Sequence, residues 1–543
     1  MRRMTGGRAM AEALRVEGVE HVFGIVGTHS VHLFDGLFDE PAVRLITARH
    51  EQGAAMMAVG YARASGRIAA CYTVPGPGVT NALTGLGMAY SESTPLVLVA
   101  GQNPLASLER ERGLFHELPH SLEVVGPLTS FAARASQVSD IPGIVREAIR
   151  VLRCQRPRPA YIEVPLDVSA SEGEVELLPP EKLDPAGGNP AAVERGAQLL
   201  RQARRPIIYA GSGVASSGAS DQLRGLAEQL GAPVITSAFA KGVISDDHPL
   251  GLGDGWGHLD ELYGAVLDRA DAALAVGTRF DVISDAKQGA RLPGRLIQVD
   301  LDPAVIGQQR GVEVGIVGDA GAVLAELAGH LPSPGRSGEC WLDVSEFRRR
   351  KRSWLAQRAG PILQIWDDLR AALPPETIFV DDLTLVGYWA PVVLETYRPR
   401  TLLHAGTYGT LGYALPAAIG ARIACPEQPV VAICGDGGFL YTLQELATAR
   451  AEQLDLIVVL FNDNAFGALK TYQDRFFGGR QIGSDLVNPD FVELADAFGL
   501  QSARVEPDEL GSAAKRALEA GGAWLIEIPF APPPPTAIPP WMP

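Results

Sequence analysis

Short apolar runs alternate with helical patterns along almost the whole chain, and this alternation limits what the chain can fold into. Strands that alternate with helices form a parallel sheet covered by helices on both faces. The sequence therefore predicts an α/β fold made of doubly wound, mostly parallel sheets. The strand candidates lie at residues 21–25, 43–47, 68–74, 95–100, 161–164, 206–209, 233–236, 272–276, 296–299, 378–380, 401–404, 430–433, 456–461 and 524–528.

Two stretches rich in proline and glycine divide the alternation into three parts. Residues 177–190 (LLPPEKLDPAGGNP) and 332–338 (PSPGRSG) are typical of linkers, because their composition favours turns. A chain of 543 residues is also too long for one core. Whether the three parts share one topology stays open at this point. We predict a first domain at 1–175, a central domain at 188–332, a third domain at 350–530 and a proline-rich tail at 531–543.

Composition and charge argue against several classes of function. The net charge is −16 and no basic patch stands out, so we expect no nucleic-acid partner. No run of about 18 apolar residues is present, so we expect no membrane span. The first residues lack the apolar region of a secretory signal. Five cysteines without a CxxC pair fit a reduced, cytoplasmic location and indicate no zinc site.

The segment at residues 430–467 gives the strongest indication of chemistry. One buried strand leads into GDGG at 435–438 and a helix, and the next strand leads into NDN at 462–464. The carboxyl ends of parallel strands meet at the edge where open α/β sheets bind ligands. Glycine amides and a helix start suit phosphate, while Asp436 and Asp463 suit Mg²⁺. Each motif alone is ordinary turn chemistry, but the two together favour a phosphate and metal site.

This segment resembles the signature of thiamine-diphosphate-dependent enzymes, a GDG motif followed by an asparagine pair. The two expected metal ligands, Asp436 and Asp463, are 27 residues apart (463 − 436), which is similar to the family spacing. The family has asparagine where this chain has Asp463, which can still bind Mg²⁺ and adds a negative charge. The resemblance implies a third metal ligand, the backbone carbonyl of Ala465. It covers nearly the whole chain and is closest to the branch of acetolactate synthases, benzoylformate decarboxylases and related 2-oxo acid decarboxylases.

Two other segments resemble the parts of this family that hold the aminopyrimidine ring. RHEQGAA at 49–55 matches the element whose glutamate promotes loss of the thiazolium proton, a role that falls to Glu51. Taken alone, Glu51 is also an ordinary helix-start residue. GTYGTLGYALP at 406–416 matches the segment that bends the cofactor, with Leu411 as the apolar wedge and backbone contacts from Gly409 and Leu411. Each cofactor of the family lies between two chains, so the resemblance implies a homodimer or homotetramer.

Three polar residues of the first domain fall where the resemblance places the substrate. FGIVGTH at 23–29 resembles the pocket loop and contributes Thr28 and His29. GLFHELP at 113–119 aligns with a Phe-Gln-Glu segment of acetolactate synthases, with His116 in place of glutamine. Histidine suits proton transfer near neutral pH, although either one is equally well explained as an ordinary residue. The HELP string also resembles the decarboxylase of 5-guanidino-2-oxopentanoate, whereas Val74 replaces the active-site histidine of benzoylformate decarboxylase.

The resemblance implies an enzyme that uses thiamine diphosphate and Mg²⁺ to decarboxylate a small-molecule 2-oxo acid. The reaction would proceed through an ylide and an enamine, and carboligation would be a side activity. Alternatives stay open: an acetolactate synthase-like carboligase, a 2-hydroxyacyl-CoA lyase-like enzyme, and, from another class, an oxidoreductase that binds FAD or a nucleotide. Ala468 and Tyr472 replace Met and Trp of acetolactate synthase. Residues 277–281 and 298–303 resemble its FAD-binding domain, so FAD is allowed but not favoured. No GxGxxG motif supports the oxidoreductase.

These assignments define three groups of candidate site residues. The candidate catalytic residues are Glu51, His29, His116 and Thr28; the cofactor-binding candidates are Gly409, Leu411, Gly435, Asp436, Gly437, Gly438 and Asp463; the candidate metal ligands are Asp436, Asp463 and Ala465.

Overall fold

The computed structural model describes residues 1–254, 260–280, 292–332 and 340–531, and within them it contains three six-stranded sheets. Every strand pair in these three sheets is parallel. Central strands are buried along their whole length, as parallel sheets covered on both faces require. This confirms the predicted fold class. Apart from Pro332 and Ala531, the second linker and the proline-rich tail lie outside the described residues.

The first part of the chain holds one parallel sheet and a small antiparallel pair. The sheet has the order β3-β2-β4-β5-β7-β6, and β1 pairs with β8 beside it. The strands are β1 (Arg2–Thr5), β2 (His21–Gly24), β3 (Arg44–Thr47), β4 (Ala69–Thr73), β5 (Leu96–Gln102), β6 (Phe131–Arg134), β7 (Ala160–Pro165) and β8 (Glu172–Val175). The helices are α1 (Gly6–Val16), α2 (Val31–Phe38), α3 (Glu51–Ser65), α4 (Pro77–Ser91), α5 (Ser121–Val125), α6 (Ile141–Cys154) and α7 (Leu166–Ala170).

The middle part holds the second sheet, with the order β11-β10-β9-β12-β13-β14. Its strands are β9 (Pro206–Ala210), β10 (Val234–Thr236), β11 (Gly251–Asp254), β12 (Ala272–Val276), β13 (Leu296–Asp300) and β14 (Val314–Val317). Its helices are α8 (Pro190–Gln202), α9 (Ser212–Ser216), α10 (Ser220–Leu230), α11 (Asp260–Leu267) and α12 (Ala320–His330).

The last part holds the third sheet, with the order β16-β15-β17-β18-β20-β19. Its strands are β15 (Ile378–Asp381), β16 (Leu402–His404), β17 (Val430–Gly435), β18 (Leu456–Asn462), β19 (Gln501–Arg504) and β20 (Ala523–Pro529). Its helices are α13 (Val344–Arg358), α14 (Pro361–Ala372), α15 (Ala390–Val393), α16 (Ala414–Ala424), α17 (Asp436–Phe439), α18 (Leu446–Ala451), α19 (Gly467–Phe477), α20 (Phe491–Ala497) and α21 (Leu510–Ala520).

The first and third sheets have the same topology, and the middle sheet differs. Numbered within its own part, each outer sheet has the strand order 2-1-3-4-6-5, whereas the middle sheet has the order 3-2-1-4-5-6. The second order is that of dinucleotide-binding folds, which bind ligands where the order reverses. The question that the sequence left open is thereby answered, because only two of the three parts share one topology.

The helices α3 and α16, which follow equivalent strands of the two outer sheets, pack against each other across one continuous core. Glycine makes this approach close. A β-carbon added at Gly60 would lie 2.0 Å from the carbonyl oxygen of Ala417, and one added at Gly420 would lie 1.9 Å from that of Met57. The two helices therefore meet backbone to backbone, and the first and third parts of the chain are held in one arrangement.

The sequence predictions locate the central strands well and miss several edge strands. Among the described residues, β6, β11, β14 and β19 form sheet edges that the apolar runs did not predict. Three of these, β6, β14 and β19, contain exposed or half-buried positions, so no continuous apolar run marks them. The fourth, β11, has the sequence GLGD, and its two glycines weaken the strand pattern. The proposed domain boundaries stay a prediction.

Within the part of the chain that the structure describes, none of the helices is long and apolar enough to cross a membrane.

We expect the substitution Gly60→Ala to destabilise the protein by about 1–3 kcal/mol, because the new methyl group would overlap the backbone of α16. Urea unfolding followed by circular dichroism measures the change. Gly225→Ala is the matched control, since it also lies inside a helix but has no neighbouring atom within 4 Å of the added carbon. A Gly60→Ala protein as stable as the control would contradict the proposed backbone contact.

Candidate active site

Two carboxylates lie side by side at the carboxyl edge of the third sheet. β17 ends at Gly435, which is paired in register with Phe461 of β18, so the residues that follow the two strands emerge together. Burial, and then the negative charge of Asp436, raise the pKa of Asp463 to about 6. Burial also raises the pKa of Asp436. A divalent cation bound between the two carboxylates would relieve this repulsion.

The glycines of the 435–438 turn are required by close neighbours. A β-carbon at Gly437 would lie 2.6 Å from the ring of Phe466, and one at Gly438 would lie 2.9 Å from a carboxylate oxygen of Asp382. The helix predicted after this turn is interrupted: α17 has four residues, and a 3-10 turn at Leu443–Glu445 precedes α18. Close packing is sufficient to explain why these positions are glycine. It also brings the turn into contact with the loop that carries Leu411.

The loop after β18 is fixed by its own backbone. Asn464 has a left-handed conformation, with φ of 53°, and its carbonyl accepts the N–H of Leu486 at 2.8 Å. Phe466 N–H donates to the carbonyl of Ser484 at 2.8 Å. Ala465, which lies between these two hydrogen bonds, is buried and forms a β-bridge with Asp485. A loop held in this way keeps the third candidate metal ligand next to Asp463.

Two residues at this edge were missed by the sequence analysis. The side-chain amide of Asn488 donates to Asp436 at 2.7 Å and to the side chain of Asn462 at 3.0 Å. The buried carboxylate of Asp382 accepts the N–H of Gly412 at 3.1 Å, and burial raises its pKa to about 7. Asp382 directly follows a strand end, a signal that could have identified it. Asn488 lies in a loop without a motif, so no signal in the sequence indicated it.

Glu51 lies at the carboxyl edge of the first sheet, as the first residue of α3. Its carboxylate accepts a hydrogen bond from the side-chain amide of Asn81 at 3.0 Å. A β-carbon at Gly78 would lie 3.4 Å from the other carboxylate oxygen of Glu51 and 2.8 Å from Val74. Glu51 therefore faces the 74–78 turn, and Asn81 holds its side chain.

The structure brings His29 and His116 together at the same edge. Their ring centroids are 5.3 Å apart, and Phe115 stacks on His116 at 3.9 Å. His29 is 5% exposed, its Nε2 lies 3.1 Å from Oδ1 of Asn103, and burial lowers its pKa. Asn103 also donates to the carbonyl of Phe115 at 3.2 Å, so it connects the two histidine segments. Thr28 is exposed beside them.

The backbone of the His116 segment packs against the turn at residues 74–78. His116 has a φ of 58°, a left-handed conformation that few residues other than glycine adopt. A β-carbon at Gly76 would lie 2.7 Å from the carbonyl of His116, so the 74–78 turn and the histidine segment are in contact. Glu51, His29 and His116 therefore belong to one cluster, which we call the first-sheet cluster.

The first-sheet cluster and the third-sheet carboxylates make no direct polar contact within the part of the chain that the structure describes. Among the described residues, no hydrogen bond or ion pair joins Glu51, His29 or His116 to Asp436 or Asp463. Each of the two groups lies at the carboxyl edge of a sheet of the same topology, and we call them the two half-sites of the candidate active site.

A cavity of about 490 Å³ lies where the carboxyl edge of the middle sheet meets the first and third parts of the chain, and its lining includes Glu92 and Arg400 but none of the candidate site residues. It lies where the strand order reverses, between the ends of β9 and β12, and it is lined there by Gly213 and Thr278. The lining also includes Asp300, whose pKa is raised by burial, and Arg156, whose pKa is lowered by burial. The FAD-like segments of the sequence meet at this cavity, except that Asp281 lies outside the described residues.

The residues of the third-sheet edge fit a bound Mg²⁺ and diphosphate. In the described ranges no group of three or more His, Cys, Asp or Glu side chains could hold a metal ion by itself. Two carboxylates and one backbone carbonyl leave coordination positions for oxygens of another molecule, which is how Mg²⁺ binds a phosphorylated cofactor. The raised pKa values of both carboxylates agree with a pair that a cation would neutralise.

Comparison with known proteins agrees with this geometry. Family models described as thiamine pyrophosphate enzyme match the chain in three places: the N-terminal TPP binding domain at residues 4–124, the central domain at 193–327 and the C-terminal TPP binding domain at 382–528. The chain is 36% identical to a probable 2-ketoarginine decarboxylase AruI of Pseudomonas aeruginosa, over 97% of this chain and 94% of that protein. It is 34% identical to a probable acetolactate synthase large subunit of Methanocaldococcus jannaschii, over 97% and 92%. An acetolactate synthase of Mycobacterium bovis is also 34% identical, over 94% and 85%.

We expect Asp436→Ala to lose Mg²⁺-dependent binding of thiamine diphosphate, because it removes one of the two carboxylates and the partner of Asn488. Asp463→Asn should keep binding, since an amide oxygen still coordinates Mg²⁺. Below pH 6 the wild type should bind more weakly as Asp463 becomes protonated, and Asp463→Asn should show less of this pH dependence. Isothermal titration calorimetry measures these affinities at several pH values between about 5 and 8, a range that includes the pKa of Asp463. Unchanged binding by Asp436→Ala would contradict the assignment of Asp436 as a metal ligand.

Proposed function

Since the chain belongs to the thiamine pyrophosphate enzyme family, we propose that it is a thiamine-diphosphate- and Mg²⁺-dependent decarboxylase of a 2-oxo acid. The observation that carries this proposal is the first-sheet cluster, in which Glu51 shares a sheet edge with two histidines in contact. The similarity to a probable 2-ketoarginine decarboxylase over nearly the whole chain supports decarboxylation. It also makes a 2-oxo acid with a cationic side chain the first substrate to test.

The third-sheet residues would hold the cofactor. Asp436, Asp463 and the carbonyl of Ala465 would bind Mg²⁺, and the metal would bind the diphosphate. Leu411 would support the cofactor in a bent shape, while Asp382 fixes the loop next to it through the N–H of Gly412. Bound thiamine diphosphate would supply a carbon nucleophile and then stabilise the electron pair that remains when carbon dioxide leaves.

The first-sheet cluster would move protons. Glu51 would share a proton with the aminopyrimidine ring, held in direction by Asn81. Burial lowers the pKa of His29, so its imidazole stays neutral at neutral pH and can accept or relay a proton. His116, with an unpartnered Nδ1 and a position between Phe115 and His29, would give a proton to the product carbon. That proton would become the hydrogen on the carbonyl carbon of the aldehyde product.

The separation of the two half-sites supports an assembly of at least two chains. Glu51 and the carboxylate pair must act on one cofactor, and among the described residues no hydrogen bond or ion pair joins them within one chain. A second copy that brings its first sheet against the third sheet of its partner would complete the site. We therefore propose a homodimer or homotetramer, and the cytoplasmic location stays a prediction.

Carboligation is the competing reaction on the same site. The similarity to acetolactate synthases supports it, and Ala468 and Tyr472, on the half-buried α19 beside the metal loop, depart from that enzyme. FAD in the middle cavity stays allowed and not favoured. A 2-hydroxyacyl-CoA lyase stays a weaker alternative, and the oxidoreductase is not proposed because the chain belongs to another family.

Product analysis tests the proposed function. The protein is incubated with thiamine diphosphate, Mg²⁺ and, in turn, pyruvate, phenylglyoxylate and 5-guanidino-2-oxopentanoate. We expect carbon dioxide and an aldehyde from at least one acid, and no turnover from Glu51→Gln, which keeps the fold but cannot share the proton. Acetolactate from pyruvate as the main product would reassign the chain to the carboligases. Wild-type rates in Glu51→Gln would refute the role of Glu51.

We expect His116→Gln to slow aldehyde release by about 100-fold, the usual size of a lost proton donor, and to raise the share of carboligation product. Steady-state rates and chromatography of the products measure both. His120→Gln is the matched control, because His120 is exposed on the same loop and also has a left-handed backbone, with φ of 49°. Equal rates in the two variants would show that His116 donates no proton.

A further inference from the structure

A buried carboxylate of the third domain reaches the start of α3, and the mechanism above gives it no task. Glu445 lies nine residues after Asp436 (445 − 436), in the 3-10 turn that precedes α18, and it is completely buried. Its Oε1 accepts the backbone N–H of Arg49 at 3.1 Å and that of His50 at 3.0 Å. The hydroxyl of Thr448 donates to its Oε2 at 2.7 Å. Burial raises its pKa.

These hydrogen bonds hold the backbone N–H groups of the two residues that directly precede Glu51. His50 is the N-cap of α3 and accepts the N–H of Gln52 with its ring nitrogen at 3.1 Å, so the helix start is already capped. Glu445, which is not part of α3, accepts hydrogen bonds from the backbone N–H groups of Arg49 and His50 and so constrains the helix start a second time. A helix start fixed on both sides leaves Glu51 little freedom of backbone position.

The close contact between Glu445 and the start of α3 requires a glycine at position 53. A β-carbon at Gly53 would lie 2.4 Å from Oε1 of Glu445, so any other residue would push the carboxylate away from the two N–H groups. The glycine two residues after Glu51 is therefore explained by Glu445 and not by a turn. A fully buried carboxylate is costly unless it is hydrogen-bonded, and here three donors satisfy it.

We propose that Glu445 is a positioning residue that fixes the direction of the Glu51 carboxylate, which rests on the proposed function of Glu51. Asn81 orients the side chain of Glu51, and Glu445 orients the backbone that carries it. Transfer of a proton within a bound cofactor depends on distance, and a shift of about 1 Å in a reacting group can lower a rate about 100-fold. Loss of Glu445 should therefore affect proton removal from the cofactor more than cofactor binding.

The test compares Glu445→Ala, Glu445→Gln and Glu51→Gln with the wild type. For each protein, the exchange of the thiazolium C2 proton of bound thiamine diphosphate with deuterium is followed by nuclear magnetic resonance. Calorimetry gives the cofactor Kd. In the cofactor-free protein, hydrogen exchange followed by mass spectrometry reports the protection of the peptide that covers residues 47–53. The Asp343→Ala variant is the control, because it removes a carboxylate cap from α13 outside both half-sites.

For Glu445→Ala we expect about 100-fold slower C2 exchange, loss of protection at 47–53 and an unchanged cofactor Kd. Glu445→Gln keeps one acceptor oxygen in the same shape, so it should lie between Glu445→Ala and the wild type. Asp343→Ala should behave as the wild type in all three measurements. A purely structural role would instead weaken cofactor binding or stability and leave the C2 exchange of the bound cofactor unchanged.

The outcomes separate the two proposals. Wild-type C2 exchange in Glu51→Gln would overturn the proposed function. Slow exchange in Glu51→Gln together with wild-type exchange in Glu445→Ala would overturn only the positioning role. If Glu445→Ala fails to fold, Glu445→Gln decides, and wild-type exchange and protection in that variant would overturn the role.

Discussion

The close crossing of α3 and α16 is the contact on which the rest of the structure depends. Gly60 and Gly420 let the two helices meet backbone to backbone, which places the first and third sheets at a fixed separation. Only at that separation can Glu445 of the third part reach the peptide groups before Glu51. Glu92 similarly accepts the N–H of Thr407 at 2.8 Å from the loop that carries Gly409 and Leu411. The geometry of both half-sites thus rests on contacts between distant parts of the chain.

The charges at the third-sheet edge are arranged at a cost to the folded protein, which a ligand would offset. Burial raises the pKa of both Asp436 and Asp463, and the negative charge of Asp436 raises that of Asp463 further. A metal ion that binds both carboxylates reverses this penalty, so binding and local order are coupled. The side-chain amide of Asn488 stabilises the Asp436 carboxylate through one hydrogen bond. The same logic explains why the site is built from two carboxylates and not from a closed cage of ligands.

The shared topology of the first and third sheets gives one explanation for two half-sites. Both groups lie at the carboxyl edge of a sheet with the same strand order, although Glu51 follows the second strand of the first sheet and Asp436 and Asp463 follow the third and fourth strands of the third sheet. A ligand with two chemically different ends suits such an arrangement. Asp436 and Asp463 would bind its charged end through a metal ion, and Glu51 and Leu411 would contact the other end. The middle sheet has a different strand order, and its carboxyl edge borders a cavity that residues of the first and third parts of the chain also line.

The sequence by itself determined the fold class, the central strands and the carboxylate pair, because each depends on residues that are close in sequence or on apolar runs. It did not identify β6, β14 and β19, whose exposed positions carry no apolar run. Resemblance to a family, and not spacing, singled out Glu51. Only the tertiary structure decided what holds these residues: Asn488 on Asp436, Asp382 on the Leu411 loop, and Glu445 before Glu51. Those partners are 30 to 396 residues apart in sequence, and such contacts form only when distant strands and helices pack together.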